Sequence, residues 1–131
     1  MKLARRWYSM KKCSHALRVA NYAAQDCTFG NEEIKNSLWK IGLFHDILED
    51  TECPEEEIRP YVTDQELEAI KLLTHHKEDY SYDEYVQIIS HSDNPYVKLV
   101  KRADMKDHLM LTTTLTKKLR EKYYPNIKYL I

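Results

Sequence analysis

The sequence predicts an all-α chain, and three observations carry that expectation. Apolar residues recur at three- and four-residue spacing, the period of helices buried along one face. Capping residues stand ahead of several of these segments. Only two glycines occur in 131 residues, too few for short strands joined by tight turns or for a glycine-rich phosphate loop. A chain of this length suffices for one domain with a real core but not for two, so residues 1–131 read as a single domain of about six helices.

The first helical region begins at about Lys2 and runs through Ala16, Leu17, Val19, Ala20, Ala23 and Ala24 to a break near Phe29-Gly30. Asn31 caps the second helix, and Glu32 and Glu33 suit its N-terminal dipole. That helix is expected to continue until just before Cys53-Pro54. Residues 52 to 62 are acidic and hold Pro54 and Pro60, so they read as a loop with one short helical turn. Thr63-Asp64-Gln65-Glu66 is a capping box opening a helix through Leu67, Ile70, Leu72 and Leu73. Ser81-Tyr82-Asp83-Glu84 is a second box, ahead of Tyr85, Val86, Ile88 and Ile89. Asn94-Pro95 places a cap and an N1 proline before a helix from Tyr96 to about Thr113. The last helix, about 115 to 123, is expected to stop at Pro125.

Hydrophobic residues make up 43% and charged residues 31%, an ordinary soluble globular balance. The net charge of −1 gives no reason to expect nucleic acid or an anionic membrane as partner. No apolar run approaches spanning length, and Met1 to Trp7 holds no apolar leader core. Cysteines at 13, 27 and 53, odd in number and without a Cys-x-x-Cys, suit a reduced cytoplasmic chain.

The most informative stretch is His45-Asp46-Ile47-Leu48-Glu49-Asp50-Thr51. At roughly 100° per residue, Ile34, Leu38, Ile41 and Leu48 share one helix face, and His45 falls within it. An imidazole beside a carboxylate on a core-facing stripe carries a desolvation cost of several kcal/mol unless something compensates. Asp104 repeats the anomaly, because Val97, Val100, His108 and Leu111 lie within about 40° of it on a helical wheel. His15, near Val19 and Tyr22 on its own helix, is a third.

Each group alone has a plainer reading. His15 reads as a hydrogen-bonded core histidine, Asp104 as an ion pair with Lys101 or Arg102, and the acidic motif as a solvated helix end. The apolar phase of His45 opposes the last of these. Jointly, His15, His45, Asp46 and Asp104 favour a metal. Imidazole and carboxylate ligands without thiolate suit Mn, Fe, Co or Zn rather than a structural zinc. Such an ion brings the pKa of bound water from 15.7 towards about 7–9, the chemistry of phosphoester hydrolysis. Glu49 and Asp50, three and four residues after Asp46, are placed to orient water or shuttle a proton.

These residues carry a family pattern. A His, a His-Asp pair and a distant Asp, all on helices, resemble the HD superfamily of metal-dependent phosphohydrolases. The longer His-Asp-x-x-Glu-Asp-Thr resembles the hydrolase domain of RelA/SpoT-type enzymes, which remove the 3′-pyrophosphate of the alarmone (p)ppGpp with Mn²⁺. Ser14-His15-Ala16-Leu17-Arg18-Val19-Ala20, Leu73-Thr74-His75-His76-Lys77 and Asn94 to Asp104 are similar to further segments of that domain. The match spans about residues 13 to 115 and is most like the small stand-alone hydrolases.

The resemblance implies His15, His45, Asp46 and Asp104 as metal ligands, Glu49 and Asp50 as the catalytic acidic pair, and Lys77 as a phosphate contact. Two positions depart from the pattern. His108 stands where the family commonly has a nucleoside-reading Asn, and the basic loop before the first His is reduced to Lys11-Lys12. Both concern substrate binding. The implied partner is a nucleotide, with two alternatives: another HD-type phosphomonoesterase, or a non-catalytic nucleotide sensor. Trp7 and Tyr8 among Lys2, Arg5, Arg6, Lys11 and Lys12 offer a phosphate platform or, as the preferred reading, a solvated helix face with buried aromatics. Tyrosines between 80 and 96 and at 123, 124 and 129 either stack on a base or cover the core.

Overall fold

Nine α-helices and two 3₁₀ turns, with no strand, make up residues 2–27, 30–110 and 117–130, the described residues of a computed structural model (side chains 118, 119, 124 and 128 excepted). The helices are α1 Lys2–Trp7, α2 Met10–Gln25, α3 Glu32–Phe44, α4 Ile47–Asp50, α5 Glu55–Ile58, α6 Asp64–Leu72, α7 Tyr82–Ser90, α8 Val97–Met110 and α9 Lys117–Ile127. The 3₁₀ turns, Arg59–Tyr61 and Lys128–Leu130, follow α5 and α9. The all-α expectation holds. The larger count of segments arises because two expected helices are each broken once, and the loop at 52–62 contains α5 and its 3₁₀ turn.

The first break falls at Tyr8-Ser9. The Ser9 hydroxyl accepts the Lys12 amide at 3.2 Å and starts α2 afresh, while the Tyr8 ring turns into the core. The second falls at His45-Asp46, within the acidic motif. His45 Nδ1 lies 2.5 Å from the Gly42 carbonyl, the acceptor that residue 46 would use in a continued helix. Asp46 takes φ −103° and ψ −3°, and α4 begins after it.

Both capping boxes form as expected, Thr63 with Glu66 and Ser81 with Glu84. Asn31 Oδ1 accepts the Ile34 amide at 2.9 Å. Asn94 Oδ1 accepts the Tyr96 amide at 3.0 Å, so Pro95 sits in the turn and α8 starts at Val97, not at the proline. Helix α9 does not stop at Pro125. It runs through to Ile127, where the buried Asn126 donates to the Lys122 carbonyl at 3.0 Å and to Asp83 Oδ1 at 2.8 Å, holding the last turn against α7. Tertiary contact thus overrides the local break signal. Phe29, Leu111, Thr113, the expected helix start at 115 and the Tyr124 side chain lie outside the described residues.

The core is built where α2, α3 and α8 meet. Helix α2 presents Ala16, Val19, Ala20 and Ala23, and α3 presents Leu38, Ile41 and Leu43. Gly42 sets their approach, because a Cβ there would stand 2.8 Å from Ala20 Cα and 3.0 Å from Ala20 N. Helix α8 lies across both and buries Val97, Val100, Ala103 and Met105. The buried Tyr8 hydroxyl donates to the Leu43 carbonyl at 2.9 Å, satisfying one of the orphan acceptors of the last turn of α3. Glu66 is buried and meets Lys40 at 3.1 Å, tying α6 to α3. Trp7 Nε1 donates to Glu57 Oε2 at 2.7 Å, fastening α1 to α5. No helix among the described residues is long and apolar enough to cross a membrane.

Candidate metal centre

Three elements bring their polar groups to one point. Helix α2 carries His15, the break after α3 carries His45 and Asp46, and α8 carries Asp104. His45 is 1% exposed, Asp104 3% and His15 7%, so these groups are not a solvated helix end. Each of the four residues offers one ligand atom, and the four atoms lie within 4.8 Å of one another. This is the set that the helical phase of the sequence anticipates.

The separations suit a single small cation. His15 Nε2 lies 2.9 Å from Asp104 Oδ1 and 3.7 Å from Asp46 Oδ2. His45 Nε2 lies 3.1 Å from Asp46 Oδ2 and 3.3 Å from Asp104 Oδ1. Donors held about 2.1 Å from one ion stand roughly 3 to 4 Å apart, so little movement is needed. Each imidazole is also held from behind: His15 Nδ1 lies 2.6 Å from Asp107 Oδ2, and His45 Nδ1 faces the Gly42 carbonyl. Both partners are acceptors, so both Nδ1 atoms carry protons and both Nε2 atoms face the cluster. Asp107 is in turn gripped by Arg18, whose Nε donates at 2.7 Å and Nη2 at 3.2 Å.

The electrostatics of the cluster follow from burial and close pairing. Burial works against charge on His15, but hydrogen bonds to Asp104 and Asp107 prevail and raise its pKa. Burial likewise opposes charge on His45, whose pKa is nonetheless raised well above the usual value by Asp46 and Asp104. Burial alone would raise Asp104, yet the Lys101 ammonium and the three imidazoles hold it well below the carboxylate range. Asp46 is lowered too, with burial outweighed by His45. The same carboxylates that favour protonated imidazoles would favour a bound cation in their midst.

A cleft of about 260 Å³ opens from the cluster, lined by Asp46, Glu49, Asp50 and Asp104 together with Lys12, Lys77, Lys101 and Lys122. It shares Glu49, Asp50, His75 and Lys77 with a second hollow of about 420 Å³. Glu49 Oε1 accepts the His75 amide at 2.7 Å, and Asp50 Oδ2 meets Lys12 Nζ at 2.8 Å. His108 also lines the cleft, stacked on Tyr123 at 4.8 Å and tilted against His15 at 4.6 Å, with Nε2 3.5 Å from Asp104 Oδ1. Lys11 is exposed and is not among the residues lining the cleft. Trp7 bonded to Glu57, and Tyr8 in the core, match the bland reading of the N-terminal aromatics.

Two residues of the site were not anticipated as parts of it. Asp107 orients His15, and the available signal was spacing: Asp107 follows Asp104 by three residues, as Arg18 follows His15. The sequence alone offers Lys101 only as an ion-pair alternative to ligation by Asp104. It does pair, at 2.8 Å, but through Oδ2, while Oδ1 faces the imidazoles. The three cysteines are unpaired and none joins the cluster; Cys53, pushed up to about 11 by burial and then by Glu57, is a poor thiolate ligand. Compared with protein-family models and with curated proteins, the chain matches none.

Proposed function

We propose that the protein is a divalent-metal-dependent phosphohydrolase acting on a nucleotide in the cytoplasm, with the 3′-pyrophosphate of (p)ppGpp as its substrate. One observation carries the reading: His15, His45, Asp46 and Asp104 converge from three elements, and Asp46 and Asp104 face a cleft that Glu49 and Asp50 also line. The resemblance of His45 to Thr51 to the RelA/SpoT-type hydrolases supplies the substrate class.

His15 Nε2, His45 Nε2, Asp46 and Asp104 would hold the ion, and the two carboxylates would balance its two charges. What a divalent ion such as Mn²⁺ supplies when bound is Lewis acidity, which polarises a phosphoryl oxygen and acidifies water. The chain does the rest. Glu49 keeps one oxygen on the His75 amide and has the other for a water proton. Asp50, steadied by Lys12, is the second acidic group beside that water. Lys77 and Lys101 bring ammonium groups to the phosphate oxygens.

His108 favours a second reading. Its stacking on Tyr123 fills the position that the family gives to an Asn, and a phosphomonoesterase of smaller nucleotides would tolerate that better. A nucleotide panel with added Mn²⁺ separates the two. Pyrophosphate released from ppGpp is the expected result, orthophosphate released from another nucleotide supports the second, and tight ppGpp binding without turnover indicates a sensor.

A further inference from the structure

The Tyr82 hydroxyl is buried and its proton meets no acceptor among the described residues, since the nearby Lys101 ammonium can only donate. A hydroxyl in that position costs folding free energy and calls for an explanation. Its ring lines the cleft, edge-on to Tyr123 at 5.9 Å, with an interplanar angle of 80°. Burial pushes its pKa up to about 12, with Lys101 offsetting only part of the effect, so at neutral pH the hydroxyl keeps its proton and can donate.

Lys122 is the second half of the observation. From α9, its Nζ stands 4.4 Å from the centroid of the Tyr82 ring and 5.4 Å from that of Tyr123. Among the described residues no carboxylate pairs with it. Burial first, then the nearby ammoniums of Lys101 and Lys77, lower its pKa, and Asp104 and Glu49 do not make good the difference. An exposed ammonium at the cleft rim facing other ammoniums, beside a hydroxyl whose proton has no acceptor, is a set of donors arranged for an anion.

We infer that Tyr82 Oη and Lys122 Nζ form a second anion subsite in the cleft, taking a phosphate group of the substrate other than the one that reacts. The subsite adjoins the metal cluster through Lys101, whose Nζ bonds Asp104 Oδ2 at 2.8 Å and lies 5.3 Å from the Tyr82 centroid. One ligand with two phosphate groups can therefore occupy both. The subsite selects multiply phosphorylated ligands over those with a single phosphate. Its assignment to a substrate rests on the hydrolase reading above, whereas its affinity for an anion does not.

Two measurements keep those apart. In EDTA, titration calorimetry with inorganic pyrophosphate should show binding to the wild type and a loss of about tenfold in each of Tyr82→Phe and Lys122→Gln. The melting temperature of Tyr82→Phe should be unchanged or higher, since it removes an unsatisfied group. With Mn²⁺ and ppGpp, both variants should raise KM about tenfold at similar kcat. No pyrophosphate binding by the wild type, or equal binding by the variants, overturns the subsite whatever the turnover. Variants that lose kcat at unchanged KM overturn its role in holding substrate. A wild type without turnover that still binds pyrophosphate through these two residues leaves the subsite standing and removes the hydrolase reading.

Discussion

Asp107 Oδ2 lies 2.6 Å from His15 Nδ1, and this contact aims the opposite nitrogen of the ring at Asp104. Asp107 is 1% exposed and is not among the residues lining the cleft. Its effect is on the ligand, through ring orientation and basicity. Asp107→Asn should therefore weaken divalent-metal affinity by roughly 10- to 100-fold, the usual range for such supporting groups. Calorimetric titration with Mn²⁺ reads this directly, and unaltered affinity would show that packing alone orients His15.

A cation held by His15, His45, Asp46 and Asp104 would bind the folded chain in preference to the unfolded one. Added Mn²⁺ at a hundred times its dissociation constant should stabilise the protein by about 2.7 kcal/mol, seen as a melting shift of several degrees. Asp46→Ala should abolish the shift by removing one of the two balancing carboxylates. An identical shift in that variant would sink the ligand assignment.

Glu49 touches the cleft and the His75 amide but is not among the four clustered donors. Removing its charge while keeping its shape should leave the ion in place and slow the reaction. Glu49→Gln is expected to retain metal at full stoichiometry and lose rate by about 10²- to 10⁴-fold, the range for a positioned proton acceptor. Loss of the metal along with the rate would move Glu49 into the ligand set.

His45 and Asp104 were legible because each interrupts the apolar phase of its segment, His15 less sharply so, and Asp46 only as the neighbour of His45; none of this needs tertiary information. The helix breaks were not legible. Ser9 lies inside a run whose composition stays helical, and only the descent of Tyr8 to Leu43 shows why the chain turns there. The interruption at His45 depends on an imidazole reaching back to the Gly42 carbonyl, which becomes favourable once the ring is fixed among Asp46 and Asp104. Asp107 carries no such signal, because its partner His15 lies 92 residues away in sequence.

Gly42 links the fold to the site. A methyl group there would meet the backbone of Ala20, which cannot move aside as a flexible side chain could. Gly42→Ala should force α2 and α3 apart and cost about 1–3 kcal/mol. Because His15 and His45 sit on those two elements, metal affinity should fall with it. A variant with lowered melting temperature and undiminished Mn²⁺ affinity would show that the two helices adjust without disturbing the cluster.

Acid sensitivity should arise in part away from the metal centre, at Glu66. Burial alone would raise its pKa, but the Ser37 hydroxyl, the Thr63 amide and Lys40 together bring it below the ordinary 4.5. A carboxylate whose folded value is depressed contributes stability that is present above its unfolded value and is lost as pH falls through the folded one. Below about pH 4.5, wild-type stability should therefore decline more steeply with acidification than that of Glu66→Gln, whose neutral side chain has no proton to take up. Urea midpoints measured from pH 6 down to pH 3 in EDTA read the difference with the metal site empty in both proteins. Parallel curves for the two would remove Glu66 from the acid response and leave the buried carboxylates of the cluster to account for it.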